Sequence, residues 1–225
     1  MPYNLQSYFE KRFSSPKQSP PSKKSAFITF SRQTGCNGSG IAVDLVKALK
    51  SEGHKWAFMN KEVLEEAAMK LKIDPSKIKY VFENRKKTHA DDVLSALSSK
   101  YYKSDKKVRK TITEVLRHYA QEGNIIIVGR AGIATTNDLP GGFHIRFTAP
   151  YDWRINALKK RREFKEVDVA AFIKRHDTKK TKLIEDFYGN NFNEIQFDLM
   201  INCAAFTRQQ IISLIIESMK KKNMI

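Results

Sequence analysis

The chain has 225 residues, 41% apolar and 29% charged, a composition that suits one folded domain or two small ones. No stretch approaches the ~20 apolar residues that cross a bilayer, and two cysteines are too few for a disulfide scaffold. Forty-one Lys and Arg against 24 Asp and Glu leave a net charge of +17. That excess favours a polyanionic ligand: nucleic acid, an anionic membrane surface or a phosphorylated small molecule.

Cys36 and Cys203 form no Cys-x-x-Cys pair, and the five histidines are scattered without i, i+4 spacing. A metal site built from protein side chains is therefore not expected. The N-terminus lacks the apolar core of a secretory signal. A reducing, cytoplasmic setting without membrane insertion is the expectation.

Residues 1–25 are expected to form a flexible basic tail, since 14–25 carries three prolines among serines and lysines. Residues 26–225 form the folded part. Ala26–Phe30 is a short strand ending in the glycine-rich run Ser31–Gly40, and Ile41–Leu49 follows as a helix with Ile41, Leu45, Val46 and Leu49 on one face. Trp56–Met59 is a candidate strand and Lys61–Leu71 a candidate helix, and Asp74-Pro75-Ser76 starts another helix. Asp105–Gln121 is amphipathic through Ile112, Val115, Leu116 and Tyr119, and Gly123 closes it. Asn124–Val128 is apolar without alternation, the signature of a strand buried on both faces. Phe143–Thr148 is a strand, Asp152–Arg162 a helix and Asp168–Tyr188 a long basic helix, whole or broken. Leu199–Asn202 is a fifth strand and Arg208–Lys221 the closing helix. Strands alternating with helices predict an α/β fold whose parallel sheet is covered on both faces.

Gly35-Cys36-Asn37-Gly38-Ser39-Gly40 lies between a strand and a helix, with glycines at its first and sixth positions. Such a loop curls so that successive N–H groups converge on a phosphate, and the helix N-terminus adds its partial positive charge. The Lys and Ser/Thr that usually follow the sixth position are Ile41 and Ala42 here. Two readings fit the loop alone: a phosphate cradle, or a glycine-rich turn that only joins strand to helix.

Ile28-Thr29-Phe30-Ser31-Arg32-Gln33-Thr34-Gly35, then Gly129-Arg130-Ala131 after a strand, then Phe187-Tyr188-Gly189 and Asp198-Leu199-Met200-Ile201-Asn202, form an ordered set of motifs. Together they resemble the cytidylate kinase-like family over residues 26 to 220. The resemblance implies a P-loop NTPase-type three-layer sandwich with a five-stranded parallel sheet. It also implies a helical acceptor-binding insertion at about 60–122 and a lid at about 163–190. The implied activity is transfer of the γ-phosphoryl of ATP, with Mg²⁺, to a nucleoside monophosphate of the CMP type. A non-catalytic module that binds nucleotide or nucleic acid on the same fold is the alternative, and oligomeric state is left open.

The same resemblance implies roles for particular residues. Thr34, Gly35, Cys36, Asn37, Gly38, Ser39 and Gly40 would cradle the donor phosphates. Arg32 would stand in for the missing loop lysine, as a guanidinium that bridges phosphate oxygens; a surface salt bridge is its bland alternative. Arg130 would grip the acceptor phosphate, or else cap the neighbouring helix. Arg175 and Lys180 would neutralise charge on the transferred phosphoryl group while Asp177 orients them, against the alternative of a solvated basic helix face. Arg154 matches a basic position near the lid entrance. The sequence departs from the family at Ser39–Gly40, which replace a charged pair, at Ala131, where an Asp often stands, and at Lys180, where Arg is favoured. Asn60 replaces the acid of an Asp-Lys-Glu-like stretch. No metal ligand among the side chains is implied.

Overall fold

The computed structural model describes residues 25–59, 106–188 and 196–225. The expected tail, the helices expected at Lys61–Leu71 and from Asp74, and the Asn60-Lys61-Glu62 stretch lie outside the described residues.

Five parallel strands form one sheet: β1 (Phe27–Arg32), β2 (Ala57–Met59), β3 (Ile125–Val128), β4 (Gly142–Thr148) and β5 (Leu199–Asn202), in the order β2-β3-β1-β4-β5. β1 is central, with Phe27–Phe30 paired to Ile125–Val128 on one side and Phe27–Arg32 to Gly142–Phe147 on the other. A central parallel strand must be apolar on both faces, and Phe27, Ile28, Thr29 and Phe30 are all buried. Because side chains alternate along a strand, each face collects its own core. Ile28, Phe30, Ile126, Val128, Ile145 and Phe147 share one cluster; Phe27, Ile125 and Ile127 share the other.

The first cluster is covered by α1 (Gly38–Ser51), through Ile41, Leu45 and Leu49, and by the closing helix (Arg208–Lys221), through Ile211, Ile215 and Met219. The second is covered by α2 (Lys106–Glu122) through Ile112, Val115, Leu116 and Tyr119. The last helix of the expected 60–122 insertion thus forms part of the layer that covers the sheet. The result is a three-layer α/β sandwich, with helices on both faces of the parallel sheet.

Three more helices follow in chain order: α3 (Gly132–Thr136), α4 (Tyr151–Lys159) and α5 (Val169–Tyr188), with the closing helix as α6. α4 stops three residues before the expected Arg162, and the chain turns through a 3₁₀ segment at Arg162–Phe164. α5 is one unbroken helix of 20 residues, and Asp168 Oδ1 accepts the Ala171 N–H at its start. Leu158 of α4 packs with Val169 and Ile173 of α5 in a third, small cluster. Among the described residues no helix is long and apolar enough to cross a membrane.

Candidate functional site

The strands end on the same edge of the sheet, and in open α/β sheets ligands collect beyond the carboxyl ends of the strands. The chain leaves β1 at Arg32 and enters α1 at Gly38, three residues before the expected Ile41. The Asn37 side chain explains the earlier start, because it accepts the Gly40 N–H at 3.1 Å and so takes Gly38–Gly40 into the first turn. Among the described residues no acceptor meets the N–H groups of Gly35, Asn37 or Ser39. They stand at the start of a 14-residue helix with no acidic side chain in its first turn, an arrangement suited to an anion. Gly35 has φ +101°, and a Cβ there would lie 2.8 Å from Arg154 Cβ. The loop reaches α4 only because that residue is glycine.

Three charged side chains clasp Thr34. The Asp177 carboxylate accepts the Thr34 N–H at 2.7 Å, Arg154 Nη1 donates to the Thr34 carbonyl at 3.2 Å, and Lys180 Nζ donates to Thr34 Oγ1 at 2.6 Å. Arg154 and Asp177 are themselves an ion pair at 2.5 Å, with Lys180 at 3.5 Å from the same carboxylate. Arg154 Nε also holds the Ala149 carbonyl at 3.2 Å, and Gln33 Oε1 accepts the Ala149 N–H at 3.1 Å. The motif residue Gln33 therefore ties the loop to the β4–α4 junction, and α5 is latched onto the loop from above.

Beside this clasp lies a cleft of about 160 Å³ whose lining includes Arg32, Arg130, Arg146 and Lys180. Asp177 is the one carboxylate among the described lining residues. Arg32 runs across two glycines: a Cβ on Gly38 would lie 3.1 Å from Arg32 Cδ, and one on Gly129 would collide with Arg32 Nη1. The glycines of two separate motifs thus leave room for one guanidinium. Gly129, Arg130 and Ala131 all have positive φ, at 74°, 56° and 53°. The two non-glycine residues each cost about 1 kcal/mol or more in that region, and the turn delivers Arg130 to the cleft wall.

Crowded cations perturb one another. Burial, then the charge of Arg130, pulls Arg32 down to about 10. Burial, then Arg32, pulls Lys180 down to about 8 against the opposing pull of Asp177. For Asp177, burial pushes the carboxyl up, but the Thr34 hydrogen bonds with Lys180 and Arg154 outweigh it and hold the group below the ordinary carboxylate range. An anion entering the cleft relieves this mutual repulsion.

A cytidylate kinase-like family model matches residues 27–205. The chain belongs to the cytidylate kinase-like family. Among solved structures, an uncharacterized protein from Eubacterium ventriosum superposes with a TM-score of 0.63 at 16% identity, covering 88% of this chain and 99% of that one. TT1252 from Thermus thermophilus gives 0.54 at 11% identity, covering 89% and 98%. Both are likenesses of fold. Among curated proteins, uronate isomerase of Corynebacterium glutamicum is 24% identical over 132 residues, 58% of this chain. The chain spans 25% of the length of that curated relative.

Of the residues expected from the family motifs, Arg32, Arg130, Asp177 and Lys180 converge on one cleft, beside the Thr34–Gly40 loop. Arg175 does not line it; it is exposed on α5. Two residues on a helix are separated by about 200°, so Arg175 and Asp177 point to opposite sides, a phase the sequence already contained. Arg154 is more central than the expected position at a lid entrance, being 7% exposed and bonded to both the loop and α5. Sequence reasoning missed Arg146. Its one available signal was a charged residue inside the otherwise apolar strand Gly142–Thr148.

Proposed function

We propose that the chain is an ATP-dependent phosphotransferase acting on a phosphorylated small molecule, a nucleoside monophosphate of the CMP type. The observation that carries this reading is the convergence of Arg32, Arg130, Arg146 and Lys180 on one cleft beside a glycine-rich loop whose Gly35, Asn37 and Ser39 N–H groups meet no acceptor among the described residues. Phosphoryl transfer asks mainly for positioning and charge stabilisation, which is what fixed guanidinium and ammonium groups provide. In this reading Thr34–Gly40 holds the donor phosphates and Arg32 replaces the loop lysine. Arg130 holds the acceptor phosphate, and Lys180 neutralises charge on the group in flight. Asp177 and Arg154 position Lys180 and the loop.

Mg²⁺ would accompany the nucleotide. Among the described residues no group of three or more His, Cys, Asp or Glu is placed to hold a metal. Both oxygens of Asp177 are already engaged, and Ala42 is wholly buried in the core. These residues do not form a protein cage for the ion.

A second reading is favoured by the loop itself. With Ile41 and Ala42 in the core and a charge of +17, a non-catalytic module binding nucleotide or nucleic acid accounts for the same basic cleft. A coupled assay of ATP-Mg²⁺ against a panel of nucleoside monophosphates separates the two. Turnover with CMP that is lost in Arg32→Ala supports the enzyme. No turnover with any acceptor, together with salt-sensitive binding of nucleic acid, overturns it.

A further inference from the structure

The chain contains two cysteines; Cys36 belongs to the donor loop through its backbone, and neither thiol has a part in the chemistry above. They lie 167 positions apart in sequence, yet the sheet brings them together. β4 lies between β1 and β5. At its carboxyl end the Phe147 carbonyl accepts the Gln33 N–H, and the Thr148 carbonyl accepts the Cys203 N–H. The loop then doubles back through the Cys36 N–H to the Gln33 carbonyl. That fold-back carries Cys36 over the end of β4 toward Cys203. Both thiols are free and buried, 5% and 8% exposed, and both belong to the core cluster on the α1–α6 face. They meet thiol to thiol, with Arg154 and Lys180 close enough for their charges to be felt at Cys36.

We infer that Cys36 and Cys203 are a peroxide-oxidisable dithiol whose disulfide ties the glycine-rich loop to the end of β5. One of the two thiols attacks as the thiolate. Its sulfur takes the outer oxygen of hydrogen peroxide and becomes a sulfenic acid, and the other oxygen leaves as hydroxide, which is protonated to water. The other sulfur then attacks that sulfenic sulfur, its proton leaves with the hydroxyl as a second water, and the S–S bond forms. Two thiols have lost two electrons, and the peroxide has gained them.

Closing the bond draws Cys36 toward β5 and takes Asn37 with it. Asn37 is the residue whose side chain holds the Gly40 N–H, so the first turn of α1 moves as well. The loop has no slack on its other side, because Gly35 already abuts Arg154. The consequence for nucleotide rests on the reading of this loop as the donor-phosphate site: the oxidised chain binds a non-hydrolysable ATP analogue about tenfold more weakly or worse.

The full-length protein is treated with stoichiometric hydrogen peroxide and followed by intact mass, thiol labelling and titration of the ATP analogue. The expected result is loss of the mass of two hydrogens, disappearance of both labelled thiols, a Cys36–Cys203 cross-linked peptide, and full reversal by dithiothreitol. Cys36→Ser and Cys203→Ser should each lose both the cross-link and the dithiothreitol-reversible loss of two hydrogens. Oxygen addition without the cross-link, disulfide-linked dimers, or the same two-hydrogen loss in either serine variant would overturn the assignment. An oxidised monomer that binds the analogue as tightly as the reduced one overturns the tie between disulfide and loop. If the reduced protein does not bind the analogue at all, the donor-site reading fails. The mass and labelling results still decide the dithiol.

Discussion

Asp177 is the carboxylate on which the clasp around Thr34 converges, and Asp177→Ala measures what the clasp is worth. The substitution leaves Arg154, 7% exposed, with its two backbone carbonyls but without a counter-charge. Breaking a buried ion pair by removing one partner costs about 3–5 kcal/mol. The Asp177 side chain is 27% exposed, which places this pair at the lower end of that range. Thr34 also loses the acceptor of its N–H, for about 1 kcal/mol more. The total of about 4 kcal/mol corresponds to a fall of roughly 8–16 °C in thermal midpoint for a chain of this size. Replacing the stranded cation as well, in Asp177→Ala/Arg154→Met, should restore about half of the loss, because a neutral side chain of similar length needs no partner. Differential scanning calorimetry or urea titration of the parent and the variants reads these differences directly. A single variant within about 1 kcal/mol of the parent, or a double variant less stable than Asp177→Ala, would refute the reasoning.

Three further outcomes are expected. The Asp177 carboxyl is depressed in the folded chain, so its contribution is in place above the ordinary carboxylate pKa of about 4 and is lost as pH falls through the lower folded value; acid titrations should show this step in the parent and not in Asp177→Ala. Lys180 is depressed to about 8, so its charging penalty applies in full below that pH and fades as pH rises from about 8 toward 10.5. In kcat/KM the same titration should appear as a decline above about 8 that Lys180→Arg removes. Gly129→Ala, at φ +74° and against Arg32 Nη1, should cost about 2 kcal/mol or more, falling to about 1 kcal/mol in an Arg32→Ser background where only the backbone strain remains, as urea titration of the two pairs would show.

The sheet was largely legible because its physics is local. Phe27–Phe30 and Ile125–Val128 are too continuously apolar for one-sided burial, and each following turn has a positive-φ glycine, Gly35 or Gly129. The helix boundaries slipped where side chains set them. Asn37 starts α1 early through a bond to Gly40, and α3, only five residues long, has no room for an apolar period. The motif residues Arg32, Arg130, Asp177 and Lys180 could be nominated from the sequence, but their interplay could not. Thr34 meets Asp177 and Lys180 across 143 and 146 positions, and Arg154 across 120. No window of sequence contains both partners, so the clasp exists only after the strands have been ordered.

α5 behaves mechanically as a beam on two supports. Twenty residues at 1.5 Å each span about 30 Å. Near one end Val169 and Ile173 rest on Leu158, and near the other Phe187 rests on the apolar cluster over β3. The span contains neither proline nor glycine, the usual places where a helix bends. An unbroken span of this kind has no internal joint. Asp177 and Lys180 lie about one turn apart on it and both bond Thr34, so the span carries the two contacts as a single unit.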